Sequence, residues 1–308
     1  MRGGSIIRAM GVVVGLEGGG TKTGCAVLSE QGERLTYAEG GPANLNFVDA
    51  ATQRRSFEDA LNGALQGIDA PVRALGYCVA GTRANWEWVL QRLGNPPAYA
   101  IEESRMAMRS TGVPIAHGVA VVAGTGALIG GFVDDALRVQ MSGWGALLGD
   151  EGSAYDVAMR AIRAAVRAWD GREGATALVG AVQRYFGVQD LRELVPLFYE
   201  RGVPRHTVAA FATQVVETAT AGDVRARDIL RRAGTELAGD ALACAVQLFQ
   251  QGEAFTVAMT GGMFKSRLFR RAFQRAFRRR FRCAIFREPV MPPAEAVARA
   301  ALSRLRTG

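Results

Sequence analysis

The 308-residue chain has little cysteine, histidine or lysine, and no apolar run approaching the roughly 20 residues that a membrane span needs. Its four cysteines, Cys25, Cys78, Cys244 and Cys283, lie far apart and form no CxxC pair. That argues against a zinc knuckle or a disulfide framework and fits a reducing compartment. The opening "MRGGSIIRAM" has neither a long apolar stretch nor a small-residue cleavage site, so no secretory leader is expected. Met10, just ahead of the first apolar run, stands as an alternative start. The P-loop pattern GxxxxGK[ST] is absent. A cytoplasmic location without membrane association is the expectation.

What is present is the composition of a soluble globular chain, 49% hydrophobic and 21% charged, long enough for two domains. The net charge of +8 comes almost wholly from arginine, since Lys22 and Lys265 are the only lysines. The densest basic run, "RRAFQRAFRRRFRC" (270–283), sets Phe273, Phe277 and Phe281 four residues apart, on one face of a helix. We read a core-facing phenylalanine stripe with a solvated arginine face, in preference to a patch for an anionic partner. No nucleic-acid partner is expected.

Strands are predicted over "GVVVGLEG", "TGCAVLSE" and "RLTYAEGG", close enough to form an antiparallel meander. A helix follows over "VDAATQRRSFEDALNGAL", then a strand over "VRALGYCVAG" and a helix over "NWEWVLQRL". "GVAVVAGTGALIGGFV" repeats the layout of "GVVVGLEGGGTKTGCAVL" about a hundred residues later, which suggests two related α/β halves. A long helical region (154–250), a strand into "TGG" and two closing helices complete the chain. The boundary is placed in "TGVPIAHG", giving domains 1–115 and 116–308, with the last helix free to pack back on the first.

The loop "GLEGGGTKTGCAVL" (15–28) runs strand to strand, unlike a dinucleotide fingerprint, which needs a helix directly after its glycines. Such a loop is either a tight turn or a place where bare backbone approaches phosphate oxygens. "AGTGAL" offers the same arrangement again.

Together "GLEGGGTKT", "VAGTGAL", "GWGALLGDEGSAYDVAMRAIRA" and "TGGMFKS", in this order, resemble the N-acetylglucosamine kinase branch of the BadF/BadG/BcrA/BcrD-type ATPase family, within the actin, hexokinase and Hsp70 superfamily. The resemblance spans about residues 11 to 300. It implies an α/β fold of two ribonuclease H-like (actin-like ATPase) domains with a central cleft, and an ATP- and Mg²⁺-dependent kinase of an amino sugar, N-acetylglucosamine first. The implied partners are a small sugar and a second copy of the chain, as a homodimer.

On that resemblance Gly19, Gly20 and Thr21 match the first phosphate hairpin, with Lys22 adding charge or facing solvent. Gly124, Thr125 and Gly126 match the second hairpin, and Gly261 and Gly262 the loop against which adenosine packs. Glu17 takes the acidic position that holds Mg²⁺ through water; the other reading is a structural carboxylate. Asn44 of "GPANLN" matches a sugar-contacting asparagine, or is only part of a turn. Gly143, Trp144 and Gly145 match sugar-facing backbone, and Asp150 an aspartate for substrate hydroxyls, beside a helix that starts at Ser153 or Gly152. Glu103 stands where the family usually has its catalytic aspartate, preceded by Glu102. The added methylene moves the carboxylate by about 1 Å, which leaves a working base or a weakened kinase. Glu295 replaces a small residue. Two other readings are an ATP- and sugar-binding protein without turnover, and an activator of a partner enzyme with a shared iron–sulfur cluster, for which no cysteine spacing is visible.

Overall fold

The computed structural model describes residues 7–20, 22–45, 48–79 and 87–307. The chain forms two compact units, Met1–Ala116 with Glu288–Gly308, and His117–Arg287. In the first, a short strand β1 (Ile7–Arg8) precedes the meander β2 (Val12–Gly18), β3 (Thr23–Ser29) and β4 (Arg34–Gly40). Helix α1 (Ala50–Leu65) starts at Asp49, whose side chain accepts the N–H of Thr52 at 2.7 Å and satisfies one of the helix's open donors. Then come β5 (Ile68–Asp69), which pairs with β1, β6 (Val72–Val79), α2 (Glu87–Arg92), β7 (Ala98–Ala100) and α3 (Glu103–Ser110).

The second unit opens with a second meander, β8 (Gly118–Ala123), β9 (Ala127–Val133) and β10 (Ala136–Ser142). A helical region follows: α4 (Ala154–Trp169), α5 (Leu178–Phe186), α6 (Leu194–Pro196), α7 (Arg205–Ala210), α8 (Ala212–Thr220) and α9 (Val224–Ala245). Strand β11 (Thr256–Thr260), helix α10 (Arg267–Arg278) and strand β12 (Ile285–Arg287) close it, and α11 (Pro293–Thr307) returns to the first unit.

The two sheets have the same plan. Their orders are β4-β3-β2-β6-β7 and β10-β9-β8-β11-β12, each with two antiparallel pairings followed by two parallel ones. The sequence reading covers both hairpins and misses β7, β10 and β12. β10 ("ALRVQMS") carries charge and is at most half-buried, and β7 and β12 have three residues each, so none leaves a strong apolar signature.

In the first unit, β2 is buried on both faces. Val12, Val14 and Leu16 pack with Phe57 and Leu61 of α1, while Val13 packs with Ala298, Ala301 and Leu302 of α11. Two glycines let α11 lie directly on the sheet. A Cβ on Gly15 would stand 2.2 Å from the Ala294 carbonyl oxygen, and one on Gly76 2.7 Å from that of Val297. Glu295 at the start of α11 is buried yet balanced: Arg34 donates to it at 2.8 Å and Arg299 at 2.8 and 3.1 Å.

In the second unit, Phe269, Phe273, Phe277 and Phe281 are all buried against the core that α9 and β11 build. Phe255 stacks on Phe249 at 4.1 Å between ring centroids and meets Phe281 edge-on at 5.2 Å. The stripe is therefore core, and Arg267, Arg271, Arg275 and Arg278 of the same helix are exposed. Among the described residues no helix is long and apolar enough to cross a membrane.

Candidate active site

In the first unit the residues gather at the end of β2. Gly18 pairs with Thr23, and Gly19 N–H donates to the Lys22 carbonyl at 2.9 Å, closing a tight hairpin. The Gly19 carbonyl in turn accepts Ala43 N–H at 3.0 Å and Asn44 N–H at 3.2 Å. The structure thus stitches the "GPANLN" loop to the first glycine hairpin, with Asn44 buried. Gly20 is half-buried beside them, and Thr21 lies outside the described residues. Lys22 faces solvent and donates to Glu39 at 2.5 Å, while Tyr37 donates its hydroxyl to the same oxygen at 2.6 Å.

Glu17 sits on β2 two residues before Gly19, in register with Gly24 on one side and Cys78 on the other. Its carboxyl is pushed up to about 7, first by burial and then by the negative charge of Glu103 and Glu39, with Lys22 opposing. The same surroundings push the Cys78 thiol well up, burial leading and Glu103, Glu17 and Glu102 adding to it.

Glu103 is exposed on the first turn of α3, and Glu102 is its N-cap. The two neighbours have separate tasks. Glu102 pairs with Arg105 at 2.9 Å and Arg304 at 3.6 Å. Against the upward push of burial, these partners and the helix backbone hold its carboxyl below the usual range. Glu103 is the one whose charge reaches Glu17.

The hard carboxylate oxygens of Glu17 are of the kind that suits a cation keeping much of its water shell, as Mg²⁺ does. Among the described residues no group of three or more His, Cys, Asp or Glu could hold a metal ion.

In the second unit the hairpin Gly124–Thr125–Gly126 joins β8 to β9, and Gly124 N–H donates to the Gly126 carbonyl at 2.9 Å. The first amides of α4 hold it by its carbonyls, Ala154 N–H to Gly124 at 2.8 Å and Tyr155 N–H to Thr125 at 3.4 Å. Ser153 caps that helix, accepting Asp156 N–H at 3.1 Å. A Cβ on Gly124 would meet nothing within 4 Å, so bare backbone is open there to a ligand.

Gly261, at φ +98°, packs against the hairpin's first strand, and Gly262 beyond it is exposed with open space at its Cβ position. Gly143 and Gly145 take left-handed backbone at φ +75° and +84° around an exposed Trp144. Asp150, also left-handed at φ +66°, is buried and turned back to the second hairpin. It accepts Ala127 N–H at 3.2 Å and pairs with Arg205. Sequence reading missed Arg205, since nothing in "GVPRHTVAAF" marks it and 55 residues separate it from Asp150.

The family model for the BadF/BadG/BcrA/BcrD ATPase family matches residues 14–303. The chain belongs to that family. Among curated relatives of this family member, the N-acetylmuramic acid/N-acetylglucosamine kinase of Clostridium acetobutylicum is 25% identical over 83% of this chain and 87% of its own length. The glucosamine kinase of Vibrio cholerae is 26% identical over 74% of this chain and 78% of its own. A solved structure of a candidate N-acetylglucosamine kinase from Chromobacterium violaceum superposes with a TM-score of 0.72 at 25% identity, covering 94% of this chain and 98% of that one. The paired sheets are accordingly those of the actin-like ATPase fold.

Cys25, Cys78 and Cys244 are buried and only Cys283 is exposed. Burial pushes the Cys25 and Cys244 thiols up to about 12.

Proposed function

We propose that this protein is an ATP-dependent kinase of an amino sugar, with N-acetylglucosamine as the substrate. The observation that carries the reading is the first glycine hairpin itself: Gly19 closes on Lys22 and is tied to Asn44, and the half-buried Glu17 lies two residues earlier, on β2, within electrostatic reach of Glu103. A half-buried carboxylate next to a bare backbone turn, with a second negative charge acting on it, suits phosphoryl transfer, which depends on positioning and charge neutralisation. Curated relatives that bear the names of kinases for N-acetylmuramic acid, N-acetylglucosamine and glucosamine support the substrate class.

Glu103 takes the proton of the acceptor hydroxyl as its oxygen bonds to the terminal phosphorus and the bond to the ADP oxygen breaks. Glu17 is the residue that would hold Mg²⁺, and the ion would supply neutralisation of phosphate charge. Gly19, Gly20, Thr21 and Lys22 in one unit, and Gly124, Thr125 and Gly126 in the other, supply phosphate-binding backbone, hydroxyl and charge. Gly261 and Gly262 supply a flat surface for the nucleoside. Asn44 and the Gly143–Gly145 segment with Trp144 orient the sugar, an amide serving both as donor and acceptor to neighbouring hydroxyls. Asp150, matched to a substrate-binding aspartate by the resemblance, serves the site through the loop it braces. The protein takes small molecules as its ligands and pairs with itself as a homodimer.

The test is ADP release measured across glucosamine, N-acetylglucosamine, N-acetylmannosamine, N-acetylmuramic acid and glucose. Release that depends on an N-acetylated amino sugar is expected. No sugar-dependent release anywhere on the panel would overturn the reading.

A further inference from the structure

The second glycine hairpin has a charged pair built into its back. Asp150 places one carboxylate oxygen 3.2 Å from Ala127 N and gives the other to Arg205. Gly126 makes room for both: a Cβ there would stand 2.8 Å from Asp150 Oδ2 and 3.2 Å from Arg205 Nη2. The carboxylate is almost wholly buried, at 3% exposure, and so needs a partner for its charge. Arg205 comes from the first position of α7, which packs on α4, and its guanidinium lies over the Tyr155 ring at 5.6 Å. Its Nε is buried with no hydrogen-bond partner among the described residues, so no wider network holds the guanidinium at that atom.

This arrangement has an electrostatic consequence. A lone Asp150 carboxylate would put a buried negative charge directly behind the backbone assigned to an anionic polyphosphate. In a poorly solvated setting, like charges a few ångströms apart repel strongly. Arg205 cancels that charge, while the carboxylate still pins Ala127 and so fixes the end of the hairpin.

We propose that Arg205 is the positioning residue of the second phosphate hairpin: it neutralises Asp150 so that this carboxylate can brace the loop without repelling the nucleotide. The inference rests on the kinase reading above. It assigns Arg205 a task through Asp150 and no contact with the reacting atoms.

The experiment is calorimetric binding of a non-hydrolysable ATP analogue with Mg²⁺ to the full chain, on wild type, Arg205→Met, Arg205→Lys and the double variant Asp150→Asn/Arg205→Met. The expected result is about tenfold or greater weakening in Arg205→Met. Arg205→Lys keeps the charge and loses much less, and the double variant recovers affinity to within about threefold of wild type. That recovery separates charge cancellation from packing, because the double variant restores no side chain at 205. Equal affinity in Arg205→Met and wild type, or no recovery in the double variant, overturns the proposal while leaving the kinase reading intact. Wild type that binds no nucleotide overturns both. Should Arg205→Met fail to fold, the double variant, which buries no lone charge, carries the test: folding with near-wild-type affinity supports the clamp, and failure to fold or bind overturns it.

Discussion

Gly261 and Ala123 stand so close that a side chain at 261 has no place to go. A Cβ there would lie 2.3 Å from the Ala123 carbonyl oxygen and 2.8 Å from Gly124 N. The turn after β11 is thereby locked against the strand that leads into the second glycine hairpin. The backbone at φ +98°, ψ 163° is also one that essentially only glycine adopts.

Gly261→Ala should therefore cost about 3 kcal/mol or more and displace the hairpin, with loss of nucleotide binding. Gly262→Ala meets open space and should fold as wild type, with any change confined to the KM for ATP. Thermal melts and nucleotide titrations of the two variants check this contrast. Equal behaviour would show that the 261 contact does not shape the site.

Glu103 and Glu102 should separate cleanly. Glu103→Gln removes the proposed base and is expected to lower kcat by about 10² to 10⁴, with sugar KM little changed. Glu102→Gln loosens the ties to Arg105 and Arg304 and should cost mainly stability, about 1 kcal/mol. Steady-state kinetics on both variants decide it, and a larger kcat loss for Glu102→Gln would move the base by one residue.

Stability should fall with rising pH because of Glu17. Its folded carboxyl holds the proton up to about 7, against 4.5 for the free group, chiefly through burial. The folded state then binds more protons than the unfolded one between those values, so stability drops as pH climbs through that window. Glu17→Gln lacks this term and should melt a few degrees above wild type at pH 8 without metal, by about 2 kcal/mol, and converge with it near pH 5. Its Mg²⁺-supported turnover should be lost. A variant less stable than wild type at pH 8 would contradict the assignment.

Glu295 departs from the small residue expected at the start of α11, and the structure gives it two arginines. Both arginines remain about two-fifths exposed and can rehydrate when the carboxylate is removed. Glu295→Ala should therefore cost only about 1–2 kcal/mol in chemical denaturation, with kinetic constants unchanged. A loss several times larger would mean that the triad, and not the glycine–alanine contact of Gly15 and Gly76, holds α11 in place.

Much of the fold is written locally. β2 and β8 are apolar runs ended by glycine, and the phenylalanines of α10 repeat at helical spacing, so their strands, hairpins and core face are legible before any coordinates. β10 is not, because a charged, half-exposed edge strand carries no period that separates it from a loop. Of the candidate site, the two glycine turns and the acidic positions at 17 and 103 follow from motif order. The asymmetry between Glu102 and Glu103 does not, since it depends on Arg304, two hundred residues away.

The amino-acid sequence by itself determined the repeated strand–glycine–strand units, the helix that begins beside the GDEGS segment, and family membership, because these reside in neighbouring residues and their order. Only the tertiary structure decided that Glu17 shares its field with Glu103, that Gly19 is tied to Asn44, and that Asp150 is paired with Arg205. Burial and electrostatic coupling act through space, and no spacing along the chain encodes which distant charge will stand beside which.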